Sequence, residues 1–298
     1  MTIENPSPQA LKLTATQSPS RIGMIRDCPQ KWAYIYVEGK RRPPTAALQY
    51  GTAWDRFTTA EDGYWAEKMQ TGHDLSPAQA RELFAANWKQ EAEEIEEWGD
   101  DDYDVLQRIG LQATEMWVPE IGNKYLVHGI QHRWQLGLNE GEFSINGILD
   151  ATLFRIGADE GQDKAVIHDE KTSKTSWIGK TGRNAGKPNK KATASLQAAG
   201  YTLAATVDPS LEGTVDPTRF VFNVHVKTKT PQIQQVEVPV EAKQHETYLR
   251  IAEASRRQQI DMIDRNYFPP NRENNMCSKA WCPFWRECVK THGGTVPE

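Results

Sequence analysis

The chain has no run of about 18 apolar residues, the length a helix needs to cross a bilayer, so no membrane-spanning helix is expected. It also has no basic start followed by an apolar stretch, so Met1 to Pro19 does not read as a signal peptide. That stretch is rich in Pro, Ser and Thr, and residues 1–17 are expected to form a flexible arm. A soluble, cytoplasmic protein is the default reading. A basic surplus is missing too. The 35 Lys and Arg against 40 Asp and Glu give a net charge of −5, which argues mildly against a nucleic-acid binder, although distribution counts for more than the sum. There is no internal repeat and no ATPase or helicase motif. Gly179-Lys180-Thr181 resembles the end of a phosphate-binding loop, but the earlier glycine that loop requires is replaced by Lys174, and no strand leads into it. Cysteine is scarce, with four in 298 residues. Cys28 stands alone, and Cys277, Cys282 and Cys288 lie close together. In a reducing compartment such a set reads as metal ligands rather than disulfides.

What is present suits one α/β core with insertions: the chain is 38% apolar, lean but sufficient for a core. Ser18 to Tyr36 has helical spacing, interrupted at Cys28-Pro29 because proline disfavours helical geometry in the residue before it. Another helix is predicted near Leu48, carrying Gly51, Trp54, Asp55 and Phe57. Ser76 before Pro77 opens a helix expected to run to Trp98, and Asp102 to Ile121 reads as a further one. The period then changes to two. Ile130 to Leu138 and Phe143 to Ile156 are predicted strands joined by the turn 139–142, followed by a short strand over Lys164 to His168. Ala192 to Thr206 reads as a helix, Arg219 to Val226 and Ile233 to Val240 as strands, and Glu241 to Tyr267 as a long helix. This order predicts a mixed sheet flanked by helices.

Three polar residues fall on that frame in a telling order. Asp150 lies in the second strand, and Asp169-Glu170-Lys171-Thr172 follows the third. Asp169 and Lys171 are two apart, so in extended chain they point to one side, and two antiparallel strands can bring both to Asp150. Two carboxylates beside an ammonium suit a magnesium- or manganese-type ion, which prefers oxygen ligands. Taken alone, a D-x-K triplet also fits a surface salt bridge of little worth. Further along, Gln197 and Tyr201 are four apart on one helix face.

With Gly51 and Asp55 upstream, Gly147-Ile148-Leu149-Asp150, Asp169-Glu170-Lys171-Thr172 and Gln197 to Tyr201, the order resembles that of PD-(D/E)xK nucleases of the RecB-like type. The resemblance covers about Ser18 to Cys288. It implies a restriction-endonuclease-like α/β fold, a central mixed sheet flanked by helices. It implies that Asp150 and Asp169 hold Mg2+ or Mn2+ with the main-chain carbonyl of Glu170, that Lys171 is catalytic, and that Gln197 and Tyr201 orient substrate or the lysine. The family's His four residues after the glycine is Asp55 here; a carboxylate still binds magnesium, so Asp55 is a candidate metal ligand.

Cys277-x4-Cys282-Pro283-x4-Cys288, with Cys28 in Asp27-Cys28-Pro29, suits an iron–sulfur cluster, commonly held by four thiolates with proline beside a ligand. Zinc is the alternative, although zinc sites favour two close pairs. The one-plus-three split resembles RecB-like nucleases with a 4Fe–4S cluster, although their close C-x2-C pair is absent. A metal held by position 28 and by three residues beyond 276 would clasp the N- and C-terminal regions together.

Between Lys171 and Lys191 there is no acid. Lys174, Lys180, Arg183, Lys187, Lys190 and Lys191, interleaved with Gly179, Gly182 and Gly186, predict a mobile loop that contacts DNA phosphates. Trp177, Trp281 and Trp285 could stack on bases, but core packing is the preferred reading. The acidic run Glu91 to Asp104 reads as a solvated helix end. The expectation is a single nuclease domain over 18–291 with a helical insertion near 60–122. The expected function is a metal-dependent nuclease, of exonuclease type, acting on single-stranded DNA or DNA ends in repair, recombination or phage DNA processing, with repair or recombination proteins as possible partners. Its rivals are an inactive DNA-binding or assembly protein that keeps the fold, which the Asp55 departure favours, and a zinc-stapled RNA-binding module.

Overall fold

Polar side chains cap many of the helices. The computed structural model describes residues 6–41, 43–157, 164–181, 185–274, 277–279 and 282–296. Ser7 caps α1 (Pro8–Thr14), which leads into the two-residue strand β1 (Thr16–Gln17). Ser18 caps α2 (Pro19–Asp27), and the extended Cys28 separates it from α3 (Pro29–Tyr36). Thr45 caps α4 (Ala46–Thr59), and α5 (Tyr64–Thr71) follows. Ser76 and Gln79 form a reciprocal capping box on α6 (Pro77–Ala92), and Asp102 caps α7 (Tyr103–Glu120). Then come β2 (Tyr125–Leu138), β3 (Phe143–Arg155), β4 (Ala165–Ser173), the single turn α8 (Lys190–Thr193), α9 (Leu196–Val207), β5 (Val215–Val226), β6 (Gln232–Pro239), α10 (Ala242–Asp264) and α11 (Trp285–His292).

Contacts group the chain into two compact units, where the sequence reading expects one domain over 18–291. The first comprises Met1–Pro43, Gln135–Gly147 and Lys243–Glu298; the second comprises Pro44–Trp134 and Ile148–Ala242. In the first unit, α2, α3 and α10 pack Ile25, Trp32, Ala33, Met262 and Phe268 into a small core. A second cluster joins Tyr34 of α3 to Phe284 and Cys288. Residues 1–17 were expected to be a flexible arm, and the described part is instead built in. β1 pairs in parallel with the start of β3, and buried Gln17 exchanges hydrogen bonds with Gln259 at 3.0 and 2.9 Å. An amphipathic turn of seven residues is too short to show a period, so composition alone misled here.

The second unit holds most of a mixed sheet. β3 and β4 are antiparallel, β4 and β5 parallel, β5 and β6 antiparallel, and β2 pairs with β3. One face of this sheet carries an aromatic core in which α4, α6 and α7 pack Tyr50, Trp54, Phe57, Phe84, Trp88 and Trp117 against Ala151 and Leu153 of β3. α9 packs on β5, with Tyr201 against Phe220. Several elements differ from expectation: β2 and β5 begin earlier, at Tyr125 and Val215 rather than Ile130 and Arg219. β4 continues through Ser173, so Asp169 to Thr172 lie inside the strand rather than after it. The predicted helix over 192–206 is split, because Ser195 leaves helical geometry to cap α9. α6 stops at Ala92, short of Trp98, and turns lead into the bridge of Glu97 to Thr45.

Gly110 of α7 sets how closely α6 can approach: a Cβ there would stand 2.0 Å from the ring of fully buried Phe84. Gly110→Ala gains up to about 1 kcal/mol in helix propensity and forces a repacking that costs about 1–3 kcal/mol. Thermal unfolding is expected to show a lower midpoint for this variant; a raised midpoint would mean that the two helices are not in this contact.

Candidate active site

Two strands and two helices of the second unit supply the expected constellation. Ala151 pairs with His168 and Thr152 with Ile167 across β3 and β4. Side chains alternate along a strand, so Asp169 and Lys171 share one face, and Asp150 joins them from the matching face of β3. Asp150 Oδ2 accepts from the Glu170 main-chain N–H at 3.0 Å. Asp169 is 1% exposed; its Oδ1 accepts from Gln197 Nε2 at 2.7 Å, and its Oδ2 meets the Lys171 ammonium as an ion pair. Lys171 Nζ also donates to the Glu170 carbonyl at 3.3 Å. Tyr201 follows Gln197 by one turn of α9.

The electrostatics show how tightly these groups are held. Burial lifts the Asp150 carboxyl well above the usual carboxylate range; Asp169 and Asp55 push it further, and Lys171 opposes them. Asp169 is raised by burial, against the pull of Lys171. Burial works to lower the Lys171 ammonium, but Asp169 and Asp150 outweigh it and the net shift is upward. Lys171 therefore stays a cation. The Tyr201 phenol is pushed up to about 12 by burial and by Asp169, so it stays protonated. Asp55 sits on α4 one turn after Gly51, where a Cβ would stand 3.4 Å from Thr172 Oγ1, so α4 packs against β4 at that point. Thr59 Oγ1 donates to Asp55 Oδ1 at 2.9 Å. Burial raises the Asp55 carboxyl, with Thr59 and Lys171 opposing.

Three carboxylates thus share one ammonium. Among the described residues, no group of three or more His, Cys, Asp or Glu side chains stands arranged to hold a metal ion. The donors nonetheless fit a hard divalent cation. They are carboxylate oxygens in excess of their counter-charge, brought together from α4, β3 and β4 around the Lys171 ammonium.

A second polar group on the opposite face of β4 escaped the sequence reading. The Glu170 carboxyl is 7% exposed, and burial raises its pKa to about 8 against the lowering effect of hydrogen bonds from Asn223 and Trp54. Asn223 Nδ2 donates to Glu170 Oε1 at 2.7 Å and lies 3.3 Å from His168 Nδ1. Trp54 Nε1 donates to Glu170 Oε2 at 3.4 Å. Gln235 Nε2 donates to Asn223 Oδ1 at 3.1 Å, and Tyr125 donates its hydroxyl to Gln235 Oε1 at 3.2 Å. The available signal was Asn223 itself, a buried-strand polar residue amid Phe220, Val221, Phe222 and Val224.

The described residues of the basic loop, on either side of 182–184, are tied together by backbone hydrogen bonds, where its glycines predict mobility. Gly179 donates its N–H to the Lys187 carbonyl, Gly186 donates to Gly179, and Asn189 donates to Trp177. Trp177 is 3% exposed and packs on Phe222, so it is a core residue and no base-stacking platform. Lys174, Lys180, Lys187, Lys190 and Lys191 are exposed. Lys174 Nζ lies 3.4 Å from Asp101, and Lys191 sits over the Trp177 ring, close enough to Lys171 for that charge to lower its own pKa in addition to burial. Arg183 and Trp281 lie outside the described residues. Trp285 is half-buried between Lys279 and Arg286.

In the first unit, Cys28, Cys277, Cys282 and Cys288 line one cavity of about 430 Å³. Burial raises the thiols of Cys282 and Cys288, and the neighbouring Cys28 and Cys277 add to the rise. Arg272 Nη2 lies 3.6 Å from Cys288 Sγ. The cavity gathers the four cysteines around one space across a long sequence gap, although among the described residues no three of them stand arranged to hold a metal ion. Four thiols are the donor type that a metal–thiolate centre uses, and Arg272 adds a positive charge beside them.

A sequence-family model, the PD-(D/E)XK nuclease superfamily, matches residues 16–289. Among solved structures, a "Putative exonuclease" from Eubacterium rectale is similar at 15% identity, with 99% of each chain covered and a TM-score of 0.45. No curated protein matches the chain.

Asp150→Asn tests the crowding of charge. A carboxyl whose folded pKa lies above its unfolded value destabilises the fold above the unfolded value, and the penalty grows as pH rises toward the folded one. With chelator present, the variant is expected to raise the unfolding midpoint, and to do so more at pH 7.5 than at pH 5. An equal change at both pH values would count against a strained carboxylate.

Proposed function

The chain belongs to the PD-(D/E)XK nuclease superfamily, and from that premise we propose that it is a metal-dependent DNA nuclease whose centre is Asp150, Asp169 and Lys171. The observation that carries this reading is the convergence of those three side chains with Gln197 at one point on β3, β4 and α9. Asp150 and Asp169, with the Glu170 carbonyl and Asp55, would hold Mg2+ or Mn2+. Such an ion, when bound, supplies a Lewis acid for the phosphate and a lowered pKa for water. The chain's own groups do the rest. Lys171, kept cationic by two carboxylates, stabilises negative charge developing on the phosphate and is a poor proton acceptor. Gln197 holds Oδ1 of Asp169, so Oδ2 is the oxygen that meets Lys171 in the site. Tyr201, protonated at neutral pH, can donate a hydrogen bond.

The exposed Lys174, Lys180, Lys187, Lys190 and Lys191, with Arg183, would hold phosphates without reading sequence, so binding falls steeply with salt. Single-stranded DNA or a DNA end is the substrate we favour, with exonucleolytic action in repair, recombination or phage DNA processing, and with proteins of those processes as partners. Residues 18–291 then act as one nuclease domain, with the helices of 60–122 as an insertion. The four cysteines would hold a 4Fe–4S cluster as a structural clasp; their convergence on one cavity supports this, and zinc is the alternative occupant.

Labelled single- and double-stranded DNA, incubated with Mg2+ or Mn2+ and anaerobically purified protein, tests the enzyme. Cleavage is expected, falling by about a hundred- to a thousandfold in Lys171→Ala. DNA binding without cleavage by either protein would leave the inactive binding protein standing. Iron and sulfide analysis of the same preparation is expected to give about four irons per chain, lost in Cys282→Ser together with some thermal stability. Stoichiometric zinc without iron would rule the cluster out.

A further inference from the structure

A carboxyl set among aromatic rings, as Glu170 is beside Trp54, costs free energy unless it is hydrogen-bonded, and a residue that only had to fill space there would be apolar. Its main chain explains its importance. The Glu170 N–H donates to Asp150, and the Glu170 carbonyl accepts from Lys171. The peptide units of this residue therefore join the two halves of the candidate metal centre.

The position of that main chain depends on the register of β4 against β5, where Glu170 pairs with Asn223. The ladder already shifts register between Ala165 and Ile167, just ahead of the site. Around Asn223 β5 is rich in Val and Phe, but from His168 to Ser173 β4 carries no Val, Ile, Leu or Phe to match them. A slip of two residues would keep every side chain on its face, so hydrophobicity specifies this register weakly. It would also set Glu170 against Val221 or His225, and leave a buried carboxyl without its amide. Asn223 is 1% exposed, and its amide is fully engaged. It donates to Glu170, faces His168 Nδ1 and accepts from Gln235, whose own orientation is fixed by Tyr125.

We propose that Asn223 is a positioning residue: by holding the Glu170 carboxyl on one face of β4, it places the Glu170 N–H and carbonyl against Asp150 and Lys171 on the other. The inference rests on the nuclease reading for its consequence, but not for its geometry.

Two variants test it. Asn223→Leu keeps the volume and removes the amide. The double variant Glu170→Met with Asn223→Leu removes both buried polar partners together, which a core commonly tolerates, and so remains informative if the single variant misfolds. In metal-free protein, hydrogen exchange at the Glu170 amide is expected to speed up at least tenfold in either variant, while amides of α10 keep their protection. Calorimetric titration is expected to show Mn2+ binding weakened by about ten- to a hundredfold, and kcat is expected to fall with KM for DNA unchanged. Glu170 protection and a Mn2+ affinity equal to wild type would overturn the proposal. So would a loss of stability alone with normal Mn2+ affinity, since that is the mark of a structural role. A wild-type protein that neither binds Mn2+ nor cleaves DNA would remove the nuclease reading, and the exchange of the Glu170 amide would still decide whether Asn223 holds it.

Discussion

The second unit is organised around an excess of negative charge. Asp55, Asp150 and Asp169 come from a helix and two strands, and each raises or feels the ionisation of another. A single ammonium, Lys171, stands among them. Charges brought out of water repel strongly and lose hydration, so such a group persists only where the surrounding structure holds it. Here the holding comes from several directions: Gln197 from α9, Thr59 from α4, and the Glu170 amide from β4 itself. The imbalance that makes the site costly without a cation is also what suits it to a divalent one.

The alternation of β4 divides its work between two faces. Asp169 and Lys171 point toward α9; His168 and Glu170 point into the aromatic core beneath α4. The same peptide units serve both sides, so order on the buried face becomes geometry on the open one. This links a hydrogen bond between Asn223 and Glu170 to the placement of Asp150 and Lys171, although Asn223 touches neither. The packing of α4 belongs to the same logic, because the helix meets Thr172 at Gly51 and carries Asp55 into the field of the other carboxylates.

The first unit solves a different problem. Its small cores draw on Trp32, Tyr34, Phe268 and Phe284 from distant stretches of chain, and Asn271 and Asn274 donate side-chain hydrogen bonds to the carbonyl of Asp27 beside Cys28. Packing of this kind brings the four cysteines around one cavity without any bond between them.

Local chemistry made much of this legible from sequence. Ser76 caps the helix that the sequence opens there, and Ser18 and Asp102 cap α2 and α7 in the same way, because capping depends on a few neighbouring atoms. Cys28-Pro29 breaks a helix for the same local reason. The two-residue spacing of Asp169 and Lys171 determined that they share a face, and the four-residue spacing of Gln197 and Tyr201 determined theirs. Tertiary structure decided what spacing cannot express. It extended β4 through the D-x-K run by pairing it with β5, and it built in residues 8–17, whose composition reads as loose, by pairing β1 with β3 and Gln17 with Gln259. It buried Trp177 and tied Gly179 to Gly186 and Lys187 by backbone hydrogen bonds. It also made Asn223 matter, since a polar residue in a strand has no meaning until its partner across the ladder is known.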